Sequence, residues 1–207
     1  MEATALVQAR KSSSKDSRRL KKEALLRSAA EALSSRGLRQ TTMDDIALAA
    51  GTSKVVLYRY FASKEDLIHS ILERVTDRLL VNERQPFAGI GSGFREAIHI
   101  AREDEPSFLL LMQHCAADPE FGGYVARIRT AIVEENIKRF AVDVAMAPYD
   151  ALFRRLCAEA IATFCLDALT RWTVTGSPAA DAHFTDWAVE SLKGLYKGWV
   201  RDAAARR

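Results

Sequence analysis

The stretch from Thr41 to Leu67, TTMDDIALAAGTSKVVLYRYFASKEDL, narrows the possible folds of this chain more than any other feature. Thr42 stands three residues before Asp45, close to a capping box with Asp in place of Glu, so a helix should begin after Thr42. Ile46, Ala47 and Ala50 give that helix an apolar face, and Gly51 ends it. Ser53 can cap a second short helix over roughly Lys54 to Tyr60. Two short helices around a glycine-containing turn make the helix-turn-helix arrangement. The small residues Ala47, Ala49 and Ala50 allow a close crossing, and Leu57 and Phe61 anchor the second helix while its other side chains face outward. A short, rigidly held helix of this kind can enter a DNA major groove about 12 Å wide.

The flanks extend the pattern. Leu25, Ala29, Ala32 and Leu33 recur at helical spacing, predicting a first helix from about Asp16 to Arg36, stopped at Gly37. Ser63 followed by Asp66 opens a longer helix to about Asn82, with Leu67, Ile68, Ile71, Leu72, Val75 and Leu79 on one face. Residues 1–15, with Ser12, Ser13 and Ser14 amid basic residues, read as a disordered basic arm. Charge follows the same division. Residues 1–70 hold 13 Lys and Arg against 8 Asp and Glu, while residues 71–207 hold 17 against 19. A basic first third on a slightly acidic remainder is the electrostatic footprint of a nucleic-acid-binding head.

These residues resemble the tetracycline-repressor (TetR) family. The matching elements are Thr42, Ile46-Ala47, Gly51, Leu57-Tyr58-Arg59-Tyr60-Phe61 and Lys64-Glu65-Asp66-Leu67. The match covers about a quarter of the chain and departs at Thr52, Val55 and Val56, which leaves the operator sequence open. The resemblance implies that Tyr58, Tyr60 and Lys64 contact phosphates and that Thr42 offers its capping region to the DNA backbone. Lys54, Val55, Val56 and Arg59 are the candidates for base edges, with Ser53 in the same DNA-facing set: valine can touch a thymine methyl and arginine can pair with guanine. The relatives are homodimers with a small-molecule pocket in the body, and the same is expected here.

Beyond the head the pattern stays helical. Glu83 to Gly93, with Pro86, Gly89, Gly91 and Gly93, is a loop. Helices should follow at about Ser92–Arg102, Pro106–Ala117, Glu120–Ala147, Asp150–Thr175 and Ala180–Ala204. In the fourth of these, Arg155, Glu159, Thr163, Asp167 and Arg171 form one polar stripe on an otherwise apolar helix. A helix with so narrow a polar face is covered on most sides. The last helix adds an apolar face, so the two together should form the subunit interface, with Leu156, Phe164, Trp187, Leu192, Leu195 and Trp199 in it. A ligand pocket is expected where aromatic and soft residues gather: Phe108, Met112, His114, Phe121, Tyr124, Phe164 and Trp172. The architecture expected is all-α: an arm over 1–15, a three-helix helix-turn-helix head over 16–62, and a helical-bundle ligand-binding and dimerisation body over 63–207.

Other chemistry finds little support in the sequence. Gly89-Ile90-Gly91-Ser92-Gly93 lacks the Lys-Ser/Thr of a phosphate-binding loop. The four histidines make no metal-binding pair on one helical face, and no nucleophile elbow or zinc motif occurs, so no enzyme, metal or cofactor is expected. Cys157 and Cys165 fall about 12 Å apart along one helix, too far to bridge. No export signal or membrane-spanning run is visible, which gives a cytoplasmic expectation. The expected function is a DNA-binding transcriptional regulator, a repressor released from a palindromic operator by a small, mostly apolar ligand. Two rivals stay open: a dimeric regulator without an effector, and a helical enzyme or carrier.

Overall fold

The structure is a computed structural model that describes residues 2–205, with side chains described from Asp16 onward. Every regular element among the described residues is helical. The order is α1 (Glu2–Arg36), α2 (Met43–Ala49), α3 (Lys54–Tyr58), α4 (Lys64–Glu83), α5 (Ser92–Glu103), α6 (Glu105–Leu109), α7 (Gly123–Val142), α8 (Ala151–Thr175) and α9 (Asp181–Ala205). A π-helical segment, Leu110–Cys115, continues α6, and short 3₁₀ turns occupy Val144–Met146 and Pro178–Ala180. The arm expected to be disordered over residues 1–15 is instead continuous with α1, which begins at Glu2 rather than near Asp16; its side chains lie outside the described residues.

The chain divides into two compact units, residues 1–72 and 73–207. The division falls inside α4, beyond the 62/63 boundary expected from sequence. The reason is burial: Leu67, Ile68 and Ile71 on the first turns of α4 are at most 1% exposed and complete the core of the first unit. That core also holds Leu33, Ile46, Leu57 and Phe61, all fully buried. Gly37 and Gly51, with φ of 88° and 58°, make the two reversals that any Cβ would strain.

In the second unit α7 and α8 pack along one another, with Ala158 and Ala162 of α8 fully buried. Such small residues let helix axes approach closely. Arg102 of α5 ties several elements together. Its guanidinium donates to Asp181 at 3.1 Å, to the Thr173 carbonyl at 3.2 Å and to the Gly176 carbonyl at 2.9 Å. The Trp172 indole N–H donates to the same Asp181 at 2.6 Å, and its ring stacks on Phe184 at 4.3 Å.

Besides α1, three helices depart from the expected limits, each for a local reason. The helix expected over Glu120–Ala147 is the shorter α7, because Asp143 leaves the helix and its side chain accepts the Ala145 N–H at 2.9 Å, starting a new turn. The helix expected over Pro106–Ala117 begins as α6 and widens into the π-segment. The helix expected to end at Tyr60 ends at Tyr58, since the amides of Tyr60 and Phe61 both bond to the Leu57 carbonyl at 2.9 Å.

Candidate nucleic-acid interface and body cavity

Capping holds the first unit's short helices in place. The Thr42 hydroxyl accepts the Asp45 N–H at 3.2 Å, and the Asp45 carboxylate accepts the Thr42 N–H at 2.9 Å and its hydroxyl at 2.7 Å. These bonds satisfy donors that a helix start leaves open. They also hold the Asp45 carboxyl below its usual range, with Arg36 beside it adding to the effect. Ser53 caps α3, accepting the Val56 N–H at 3.4 Å. At the start of α4 the Ser63 hydroxyl accepts the Asp66 N–H at 3.1 Å, and the Asp66 carboxylate accepts the Ala62 N–H at 2.7 Å. Thr41, fully buried, donates its hydroxyl to the Gly37 carbonyl at 2.8 Å. The α2–α3 pair is therefore fixed from both sides by its own backbone chemistry.

On that frame α3 buries Leu57 and leaves Val55 72% and Tyr58 48% exposed, with Arg59 exposed at its end. Val56 and Tyr60 are half-buried, and the Arg18 guanidinium lies 5.6 Å from the centre of the Tyr60 ring. Lys54 donates to Asp44 at 2.7 Å, an exposed pair that raises the lysine's pKa. Lys64 is placed differently from its expected role. Its ammonium donates to the carbonyls of Leu38 at 3.0 Å and Thr41 at 3.2 Å, tying the α1–α2 link to the start of α4. Two of its three donors are thereby committed to the protein.

The second unit contains a cavity of about 1150 Å³. Its wall comes from the C-terminal half of α4, the 84–91 loop, and α5, α7, α8 and α9. Ile100, Ile128, Ile132, Leu166 and Leu169 supply apolar surface. Polar groups, several of them charged, interrupt it. Asn136, buried, donates back to the Ile132 carbonyl at 2.8 Å, and Asn82 donates to the Gly93 carbonyl at 2.8 Å. The Tyr196 hydroxyl donates to Asp143 at 2.5 Å, which pushes the phenol up to about 12. Arg139 lies 3.7 Å from Glu83 and 4.8 Å from the centre of the Phe87 ring. Burial raises the Glu83 carboxyl above its usual range, and the Cys165 thiol beside the cavity is pushed up to about 12 by the same cause.

None of the seven residues expected to form the pocket lines this cavity. Phe108 and Phe121 are buried in helix packing, Met112 is half-buried, and His114 is exposed. The Tyr124 ring lies under Arg127 at 5.6 Å, Phe164 lies 5.9 Å from Trp187, and Trp172 stacks on Phe184. Large aromatic side chains bury most area by filling seams between helices, so their clustering in sequence marked seams rather than empty space. A different sequence signal was available: Asn136 continues the buried Ile128–Ile132 row at a spacing of four, a polar residue on a core face. Among the residues expected at a subunit interface, Leu156, Trp187 and Leu195 are 50%, 52% and 39% exposed. Leu192 is corrected: it is buried and lines the cavity. Trp199 is half-buried, its ring edge-on to Phe140 at 6.4 Å.

Comparison with known proteins agrees with the geometry of the first unit. The profile of "Bacterial regulatory proteins, tetR family" matches residues 25–71. The HTH-type transcriptional activator FasR of Mycolicibacterium smegmatis is 44% identical over 61 residues, spanning 30% of this chain and 28% of FasR. The HTH-type transcriptional regulator RutR of Escherichia coli is 27% identical over 192 residues, 87% of this chain and 91% of RutR. In three dimensions the chain is similar to a tetR-family transcriptional regulator from Streptomyces coelicolor. The TM-score is 0.63 at 19% identity, over 91% of this chain and 90% of that one, a likeness of fold. The matched profile begins on α1, closes on α4 and contains every capping bond described above. Residues 25–71 of this chain form a head of the tetR family of bacterial regulatory proteins.

Proposed function

We propose that this transcriptional regulator is a homodimeric repressor that binds a palindromic operator and releases it when a small, mostly apolar molecule enters the body cavity. The observation that carries the proposal is the double role of α4. Its first turns bury Leu67, Ile68 and Ile71 in the head's core, and its last turns supply Leu79, Asn82 and Glu83 to the cavity wall. A ligand favouring one position of that helix over another would shift the head's affinity for DNA. A tenfold loss of DNA affinity needs ~1.4 kcal/mol of coupling, within the range of ~1–3 kcal/mol common for such linkages.

On DNA, the exposed Val55 would meet a thymine methyl and Arg59 a guanine edge, while Tyr58 and Tyr60 would reach phosphates. Leu156, Trp187 and Leu195 on α8 and α9 support dimerisation, since large apolar side chains in an exposed group mark an association surface. A twofold dimer presents two equivalent heads, which gives the operator its dyad.

The test is selection of binding sites from random duplexes, followed by titration of the selected site in the presence of candidate ligands. Selected sequences should be palindromic, and at least one cavity-binding compound should weaken DNA binding tenfold or more. Sites without dyad symmetry, or a protein that sediments only as a 23.0 kDa monomer at micromolar concentration, would overturn the dimeric reading. Ligands that stabilise the protein and never alter DNA affinity would overturn the release mechanism. A promoter–reporter assay separates repression from activation.

A further inference from the structure

The charged groups on the cavity wall differ in how completely they are paired and sheltered; Glu96 is exposed to solvent. Arg78 bonds to Glu103, and Asp77 lies 3.7 Å from Arg127. Asp143 accepts the Tyr196 hydroxyl at 2.5 Å and the Ala145 N–H at 2.9 Å. Arg139 has two neighbours, the Phe87 ring and Glu83. Among the described residues the Glu83 carboxylate has one cation beside it, Arg139 at 3.7 Å, beyond hydrogen-bond reach, and a second anion, Glu135, acts on it as well. The Glu83 side chain is 18% exposed. A carboxylate offers about four lone-pair sites, and at Glu83 no donor of the described residues fills them.

We infer that the cavity takes an elongated apolar amine, bound as its ammonium ion with the Glu83 carboxylate as counter-ion and hydrogen-bond acceptor. The inference rests on the reading of the cavity as an effector site and names the ligand's chemical class. An ammonium brings three donors and one positive charge to a group that lacks the first and, with Glu135 acting beside it, has Arg139 alone for the second. A ligand carboxylate could reach Arg139, but it would set a second anion beside Glu83, which like-charge repulsion disfavours. The wall also carries the Phe87 and Phe140 rings, and Phe87 already holds one cation, Arg139, over its face. Ile100, Ile128, Ile132 and Leu169 enclose the rest of the molecule. Burial already disfavours the charged form of Glu83, so a cation at this position restores what the protein withholds.

The experiment uses three probes with one twelve-carbon chain and different heads: dodecylammonium, dodecanol and dodecanoate, each below its micellar concentration. Calorimetric titration of the full-length protein should place dodecylammonium about tenfold tighter than dodecanol, with dodecanoate weakest. Glu83→Gln should bring dodecylammonium down to the level of dodecanol. Equal or tighter binding of dodecanol or dodecanoate by the unmodified protein overturns the inference and leaves the effector-site reading standing. A preference for the ammonium that survives in the Glu83→Gln protein also overturns it, as does failure of dodecylammonium to bind at all. Dodecylammonium that binds through Glu83 without changing DNA affinity supports the amine site and overturns the effector reading. If Glu83→Gln does not fold, the ranking of the three heads on the unmodified protein decides alone.

Discussion

In the head, Leu33, Ile46, Leu57 and Phe61 close on one another with essentially no exposed surface, whereas the body keeps a cavity of about 1150 Å³ among side chains of the same kind. The body is not loosely packed as a whole. Phe108, Leu110, Leu111 and Met146 are as fully buried as anything in the head. The difference is local, and the two units also use their polar groups differently. The head spends Thr41, Thr42, Asp45, Ser53, Ser63 and Asp66 on caps and turns that fix short helices. The cavity leaves Glu83 facing inward without a hydrogen bond among the described residues. The contrast is not one of complete against incomplete pairing, since the head also buries the Ser34 hydroxyl without a hydrogen bond among the described residues.

Core truncation should expose the contrast most strongly. Phe61→Ala should destabilise the head by ~3–5 kcal/mol, because the surroundings are full and cannot collapse. Leu169→Ala, beside space that already exists, should cost no more than ~2 kcal/mol, the low end for such changes. Amide hydrogen exchange resolved to each unit measures both, and equal costs would break the comparison.

Lys64 and Arg59 sharpen it within the head. Lys64→Ala removes two charge-assisted bonds to carbonyls and should lower the head's stability by ~1–3 kcal/mol as well as weakening DNA binding for all sequences alike. Arg59→Ala should leave stability within ~0.5 kcal/mol and cost ~1–3 kcal/mol of DNA affinity, concentrated at one position per half-site. Thermal unfolding set beside binding to a panel of operator variants separates the two, and parallel losses would assign Arg59 to the phosphates instead.

The pH response should have opposite signs in the two units. Asp45 is held below its ordinary value of 3.8, chiefly by the Thr42 hydroxyl and amide. Its contribution is therefore present above pH 3.8 and fades as pH falls through the lower folded value. Glu83 is raised above 4.5, chiefly by burial. The folded state then holds the proton more tightly than the unfolded one, so stability falls as pH rises from 4.5 through the folded value. Unfolding titrations of Asp45→Asn and Glu83→Gln against the unmodified protein read each slope. Asp45→Asn should flatten the acid limb, and Glu83→Gln should remove a loss on the alkaline side of pH 4.5.

The smallest effect concerns the Lys54–Asp44 pair. Asp44→Asn should leave stability within ~0.5 kcal/mol, since exposed pairs contribute little. It should raise DNA affinity a few-fold at low salt by removing an anion beside Lys54, and the gain should vanish at high salt. A gain independent of salt would point to a direct contact instead.

Local rules settled the head before any coordinates were needed. Ser, Thr and Asp three residues apart, glycines at the reversals and a row of leucines and isoleucines act over one or two helical turns, so the sequence determined α2, the turn, α3 and the start of α4 together with the exposed set on α3. The same rules found the apolar face of α8 and α9 and, within a few residues, the ends of most helices. Tertiary structure alone decided four matters. The α1–α2 link folds back to Lys64, and Leu192 turns inward. The aromatic residues expected around a ligand fill helix seams, and the space itself opens between α4, α5, α7, α8 and α9. Empty volume belongs to no residue. It is what remains when five helices, far apart in sequence, fix their distances through contacts made elsewhere, and only their assembled packing reveals that Glu83 and Arg139 share a wall.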